Sequence, residues 1–174
     1  KIVFSTYQSS PLVSKSIPNC SLLIVGGEEI KGDEKKLESL LHHHSILGNV
    51  HLTGIIDRKR VPYFLKRARI ALSPIPPTMK FKVSSPSKLV EYLSLGLPVV
   101  ANNEIHDQRE ILRKSGGILT NYSEKEFSKA IIYLLKNKNK ARKMGKLGKS
   151  WILKNRNYKT LSKSLEEKYH EILS

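Results

Sequence analysis

The chain has 174 residues, 39% hydrophobic and 26% charged, which suits one soluble globular domain and excludes a disordered chain. No apolar run approaches the ~18 residues of a membrane span, and a lone cysteine, Cys20, excludes an internal disulfide and a multi-cysteine metal cluster. The net charge of +16 is uneven: residues 125–174 carry 14 Lys/Arg against 4 Asp/Glu, a field that attracts nucleic acid, acidic lipid headgroups or a phosphorylated substrate unless it is simply a solvated lysine-rich surface.

In chain order, Lys1 to Ser5 reads as a strand, Ile2–Phe4, rather than a signal peptide. Further short apolar strands are expected at Leu22–Val25, Val50–Thr53, Ile70–Ser73, Pro98–Ala101 and Gly117–Thr120. The runs at 22–25 and 98–101 do not alternate, which implies burial on both faces, as in a parallel sheet covered by helices. Helices are expected at Glu34–Leu47, Val61–Ala68, Ser85–Leu95, Asp107–Lys114 and Ser123–Lys136, the last capped by Ser123. Two basic helices near Lys138–Lys154 and Tyr158–Leu173 close the chain. Alternating β and α elements predict an α/β class: one doubly wound parallel sheet of about six strands with helices on both faces, in a single domain spanning 1–174. Only about sixteen residues, including Pro11 and Pro18, separate the first two expected strands. That is short for a helical crossover, so either the crossover is compact or part of it is missing.

The stretch Ser84–Val100 carries the chemistry. Ser85 is the expected N-cap and Pro86 the first helical residue, where its missing N–H costs nothing. The amides of Ser87, Lys88 and Leu89 then point out of the helix start, and with the helix dipole they form an anion site. Lys88 adds a point charge. Glu91, one turn deeper, can accept two hydrogen bonds from a ribose diol. All of this falls at the carboxyl edge of the sheet, where open α/β folds bind ligands. The same pattern is also what ordinary capping and a surface Lys–Glu pair look like.

From Leu22 onward the sequence resembles the C-terminal domain of glycosyltransferase family 4, also called glycosyl transferases group 1, of GT-B fold. The matching segments come in the family's order: Leu22–Gly27, Asn49–Gly54, Val61–Pro74, Pro86–Ala101 and Gly116–Leu119. The block from Pro86 to Ala101 is the most specific. The resemblance implies one Rossmann-like half of a two-domain enzyme whose acceptor-binding N-terminal half is absent from this chain. It implies a nucleotide-diphospho-sugar donor (UDP-, GDP- or a related base), transfer with retention, and no required metal or other cofactor. Residue by residue, Glu91 matches the second glutamate of the family's Glu-x7-Glu motif, which grips the donor ribose. The amides of Ser87, Lys88 and Leu89 match the diphosphate cradle, and the turn after Gly54, with Ile56 and Arg58, matches the place of the base. Two departures stand out. The first motif glutamate falls at Val83, with Lys80 and Lys82 nearby and able to face phosphate. The family's Arg and Lys-Gly pair in the first crossover is also missing, with Lys15 the one candidate there. The fragment alone is expected to bind nucleotide weakly without turnover.

Other residues read more plainly. His42-His43-His44 lie in an expected helix and point in different directions, so they cannot share one metal. His106, Asp107, Arg109 and Glu110 offer an acid–base group or, more simply, the cap of the next helix. Asn102 and Asn103 are possible donor or acceptor contacts. Trp151 reads as a packing anchor, and the stripe Leu161, Leu165, Tyr169 and Ile172 as a face that packs on this domain or on the absent one. The partners expected are a nucleotide-sugar, a glycan or lipid-linked acceptor, and an anionic membrane surface met by the basic helices. The location expected is the cytoplasm or the inner membrane face. Two alternatives remain open: a sugar-nucleotide epimerase of related fold, for which His106 lacks a convincing acid partner, and a basic nucleic-acid-binding module, which lacks aromatic interleaving.

Overall fold

The computed structural model describes residues 10–27, 35, 39, 42 and 49–173. The expected strand Ile2–Phe4 lies outside them, as do His43 and His44. Of the expected helix Glu34–Leu47, only Lys35, Ser39 and His42 are described, each helical. The first described element is a seven-residue helix, α1 (Ser10–Ser16), with Lys15 exposed in its last turn. This helix precedes β1 within the segment expected to be the crossover, and it tolerates Pro11 in its first turn. Next come β1 (Leu22–Ile24), β2 (Val50–Leu52), a 3₁₀ turn at Arg58–Arg60, α2 (Val61–Leu65), β3 (Ala71–Ser73) and α3 (Met79–Lys82). The chain continues through α4 (Ser87–Ser94), β4 (Val99–Asn102), α5 (His106–Ser115), β5 (Ile118–Thr120), α6 (Glu124–Lys136), α7 (Lys138–Asn155) and α8 (Tyr158–Leu173). Helix α3 was not expected. It lies inside what the sequence reads as one loop, because Pro76 and Pro77 just before it signal a turn.

The five described strands pair in parallel, β1 with β2 and β3-β4-β5 in that order. Each parallel pair needs a crossover, and α4 and α5 supply those joining β3 to β4 and β4 to β5. Strand β4 shows how both faces are covered. Its side chains alternate, so Val99 and Ala101 enter one core with Leu89, Leu93, Ile111 and Ile152, from α4, α5 and α7. Val100 faces the other way, into Val13 of α1 and Phe127, Ile131 and Leu134 of α6. Val99, Val100 and Ala101 are fully buried, which is the two-sided burial their uninterrupted apolar run predicts.

Helix α4 ends as a helix with glycine just past its terminus should. Gly96, at φ +79°, takes the left-handed conformation. Its N–H donates to Leu93 O at 2.9 Å and that of Leu97 to Tyr92 O at 3.1 Å, a Schellman closure. This turn abuts Gly145 of α7, where a Cβ would stand 1.9 Å from Gly96 O. One turn further along α7, a Cβ on Gly148 would stand 2.6 Å from Leu93 Cδ2. The glycines let α7 run back along α4 at close range. Trp151 packs against the same core, as an anchor. Of the two packing alternatives for the stripe Leu161, Leu165, Tyr169 and Ile172 of α8, packing on this domain is not seen: every member is exposed among the described residues.

Candidate functional site

Parallel strands that feed helices place every helix start at one edge of the sheet, and the starts of α4, α5 and α6 meet at the carboxyl ends of β3, β4 and β5. A buried polar network braces this edge. Asn102, fully buried at the end of β4, uses its amide like a strand: Oδ1 accepts from Ile75 N at 2.9 Å and Nδ2 donates to Ile75 O at 3.0 Å. Nδ2 also donates to Glu104 Oε2 at 3.0 Å, and Glu104 Oε1 accepts from Tyr122 N at 2.8 Å. Buried Gln108 donates to Asn102 O at 3.3 Å and accepts from the Ser73 hydroxyl. Buried polar groups so completely paired rigidify what they hold. Asn102 thus braces the loop leaving β3 and is not open as a contact to a ligand, whereas Asn103 is half-exposed and bonds Asn121.

Helix α4 begins one residue later than the sequence suggests. Pro86, extended at φ −77° and ψ 102°, is the N-cap, and no side chain caps the helix. The proline ring fixes φ, so the turn into the helix falls after it. Ser85 therefore does not cap: its hydroxyl donates to Asp107 Oδ2 at 2.7 Å. The Leu89 amide is also not free, since it donates to Pro86 O at 3.0 Å, a tight first turn. The amides of Ser87 and Lys88 have no acceptor among the described residues. They open to water beside exposed Ser87 and Lys88 side chains, with the positive end of the helix dipole behind them.

One turn deeper, Glu91 meets Arg58, Nη2 to Oε1 at 3.8 Å, and the two side chains are 46% and 94% exposed. The 3₁₀ turn that carries Arg58 is fixed by Asp57 Oδ1, which accepts from Lys59 N at 2.8 Å. It is reached through Gly54, whose φ of +60° favours glycine. The sequence placed Arg58 and Glu91 in separate roles and the fold brings them together. Below Glu91, burial first and the Glu91 carboxylate second push the Tyr92 hydroxyl above its usual pKa, so Tyr92 stays neutral. Ile56 is half-buried in the turn after Gly54, and Lys82 is exposed on α3. Among the described residues no ion pair joins Lys82 to Glu91. Val83, in the place of the first motif glutamate, ends α3 exposed to solvent.

The neighbouring helix departs from expectation. His106 is exposed, and Ile105, not a polar side chain, is the N-cap of α5. Asp107 neither caps nor pairs with His106. Its Oδ1 accepts from Arg156 Nη2 at 2.6 Å while Oδ2 holds Ser85. At the start of α6, Ser123 stands at the N-cap without a side-chain bond, and Glu126 instead accepts from Asn121 N at 2.9 Å. Among the described residues no three His, Cys, Asp or Glu side chains gather as metal ligands, and no helix is long and apolar enough to cross a membrane.

The sequence matches the family model described as glycosyl transferases group 1 over residues 4–151. The chain belongs to that family. No curated protein matches it by sequence, and among solved structures the fold recurs at low sequence identity. A sucrose-phosphate synthase from Thermosynechococcus elongatus superposes with TM-score 0.80 at 19% identity over 97% of this chain and 42% of its own. The C-terminal domain of the glycosyl transferase group 1 protein LpcC from Francisella tularensis gives TM-score 0.75 at 15% identity, over 87% of this chain and 77% of that one. Alr3699/HepE from Anabaena, solved with UDP and glucose, gives 0.76 at 16%, over 94% of this chain and 44% of that one. The fold is thus a Rossmann-like α/β unit with parallel sheets that matches GT-B glycosyltransferase folds. The chain spans about two fifths of the length of the sucrose-phosphate synthase.

Proposed function

We propose that this group 1 domain is the donor-binding half of a retaining glycosyltransferase, holding a nucleotide-diphospho-sugar and passing its sugar to a glycan or lipid-linked acceptor supplied beside a second domain. The observation that carries the proposal is the meeting of Arg58 and Glu91 beside two unpartnered amides at the start of α4. A diphosphate seated there accepts hydrogen bonds from the Ser87 and Lys88 N–H groups, and the helix dipole and the Lys88 ammonium oppose its charge. Glu91, one turn deeper, accepts from the ribose hydroxyls. Its ion pair with Arg58 is largely exposed and worth little, so Arg58 can release the carboxylate to the ribose and turn toward phosphate or base. The turn from Gly54 through Ile56 offers the base a surface. Lys82 stands beyond the loop leaving β3, where a phosphate or the sugar end of the donor would lie. Developing negative charge on the leaving diphosphate is what these donors stabilise during transfer, and this role requires no metal from the residues present.

The test is the full polypeptide with Glu91→Gln. Removing one charge-assisted partner weakens UDP or GDP binding by about 1.5–3 kcal/mol, read by calorimetry, and donor KM rises with it. Unchanged affinity for both nucleotides would remove Glu91 from the site. The anomeric configuration of the product, followed by proton NMR, tests retention.

A further inference from the structure

We infer that Asp107 is a positioning residue for the phosphate end of this site, tying the segment that opens α4 to the end of α7. The inference rests on the proposed use of the α4 start as a phosphate cradle. One carboxylate makes two charge-assisted bonds to different parts of the fold: Ser85 Oγ donates to Oδ2 at 2.7 Å, and Arg156 Nη2 donates to Oδ1 at 2.6 Å. The pair is partly shielded, with Asp107 20% and Arg156 32% exposed, so solvent screens it less than it screens the Arg58 pair. Each charge sits where its own helix favours it. Asp107 is in the first turn of α5, and Arg156 is the C-cap of α7.

The geometry gives this strut its consequence. Helix α7 already grips the far end of α4 through Gly145 against Gly96 and Gly148 against Leu93. Arg156 caps the C-terminal end of α7, about two turns beyond Gly148, and through Asp107 it reaches Ser85, two residues before the first amide of the cradle. Helix α4 is therefore held at both ends by one long helix. Its first turn lacks any side-chain cap of its own, so the direction of the Ser87 and Lys88 amides depends on where Ser85 and Pro86 are held. Proline at 86 stiffens the link, and a displacement of Ser85 is passed on to those amides.

The experiment titrates the full polypeptide with UDP, with GDP and with inorganic pyrophosphate, and records the melting temperature without ligand. The variants are Ser85→Ala, Asp107→Ala, Asp107→Asn, Arg156→Lys and the double Ser85→Ala/Asp107→Ala. The expectation is that Ser85→Ala and Asp107→Ala each weaken pyrophosphate and nucleotide alike by about three- to tenfold, the scale of indirect coupling. The double variant should lose no more than the larger single loss, because both break one strut. Asp107→Asn and Arg156→Lys retain part of the bonding and should fall between wild type and Asp107→Ala. Glu91→Gln behaves differently, weakening nucleotide but not pyrophosphate. A lower melting temperature in Asp107→Ala with unchanged affinities would make the strut merely structural and overturn the inference. If Asp107→Ala fails to fold, exposed Ser85 carries the test, and unchanged pyrophosphate affinity in Ser85→Ala overturns it equally. Failure of the wild type to bind any of the three ligands would sink the cradle itself, an outcome distinct from failure of the strut.

Discussion

Glu91 keeps one carboxylate oxygen 3.8 Å from the Arg58 guanidinium while about half of its side chain stays open to water. Such a pair is poor as a structural tie, since exposed ion pairs contribute about 0–1 kcal/mol. It is well suited to exchange partners, because little is lost when ribose or phosphate replaces it. The prediction for Arg58→Ala follows from that asymmetry. The melting temperature should hardly move, corresponding to less than about 0.5 kcal/mol, because Arg58 is 94% exposed. UDP affinity should fall about three- to tenfold at low salt, and by less as salt rises and screens the lost charge. Calorimetry at two ionic strengths checks both halves. A large loss of stability with normal affinity would reverse the roles assigned to the pair.

Between elements, the contact of α7 with α4 is set by the absence of side chains. Gly145 faces backbone, since a Cβ would fall 1.9 Å from Gly96 O, whereas Gly148 faces the far end of Leu93 at 2.6 Å. Backbone cannot swing aside and a leucine methyl can. Gly145→Ala should therefore cost about 3 kcal/mol through forced separation of the helices, and Gly148→Ala about 1 kcal/mol, even though alanine is the better helix former. Denaturant melts of the two variants compare them directly. Equal, small effects would mean that the helices part easily. These contacts also show what the sequence could and could not disclose. Strands β1 to β5 and helices α2 and α4 to α8 were legible as elements because short apolar runs and 3.6-residue spacing announce them locally, but the two-sided burial expected of the run 22–25 is not met, since Leu23 is exposed. The α4 start was legible in kind but shifted, since a proline can be either N-cap or first helical residue. Glycines inside a basic helix read only as a local cost, so their role as the close seam with α4 was invisible. Asp107 and Arg156 lie 49 residues apart and announce themselves by no periodicity. Arg58 and Glu91 were each singled out from the sequence, but their contact needed the fold.

Across the whole molecule, charge is segregated. Helix α7 carries seven Lys/Arg and no Asp/Glu. Its inward arc is Ala141, Gly145, Gly148 and Ile152, so Arg142, Lys143, Lys146 and Lys149 all face solvent. Exposed Leu147 and Leu153 sit among them. A cationic arc with apolar side chains between the charges fits an anionic lipid surface better than a nucleic-acid backbone, which leaves the leucines nothing to enter. Because the opposite side of α7 lies on α4, a membrane held by this arc would place α4 one helix layer from the lipid, which suits the lipid-linked acceptor of the proposed function. The full polypeptide should therefore sediment with phosphatidylglycerol-containing vesicles and not with pure phosphatidylcholine vesicles, and added salt should release it. Each basic residue near such a surface contributes about 1 kcal/mol, so reversing Lys143, Lys146 and Lys149 to glutamate should lower partitioning at least about a hundredfold. UDP affinity should survive that reversal, since none of the three side chains belongs to the phosphate end. Vesicle binding indifferent to the reversal would return the arc to ordinary solvated surface. Random oligonucleotides bound as steeply with salt as the vesicles, and lost with the same reversal, would make nucleic acid the partner instead.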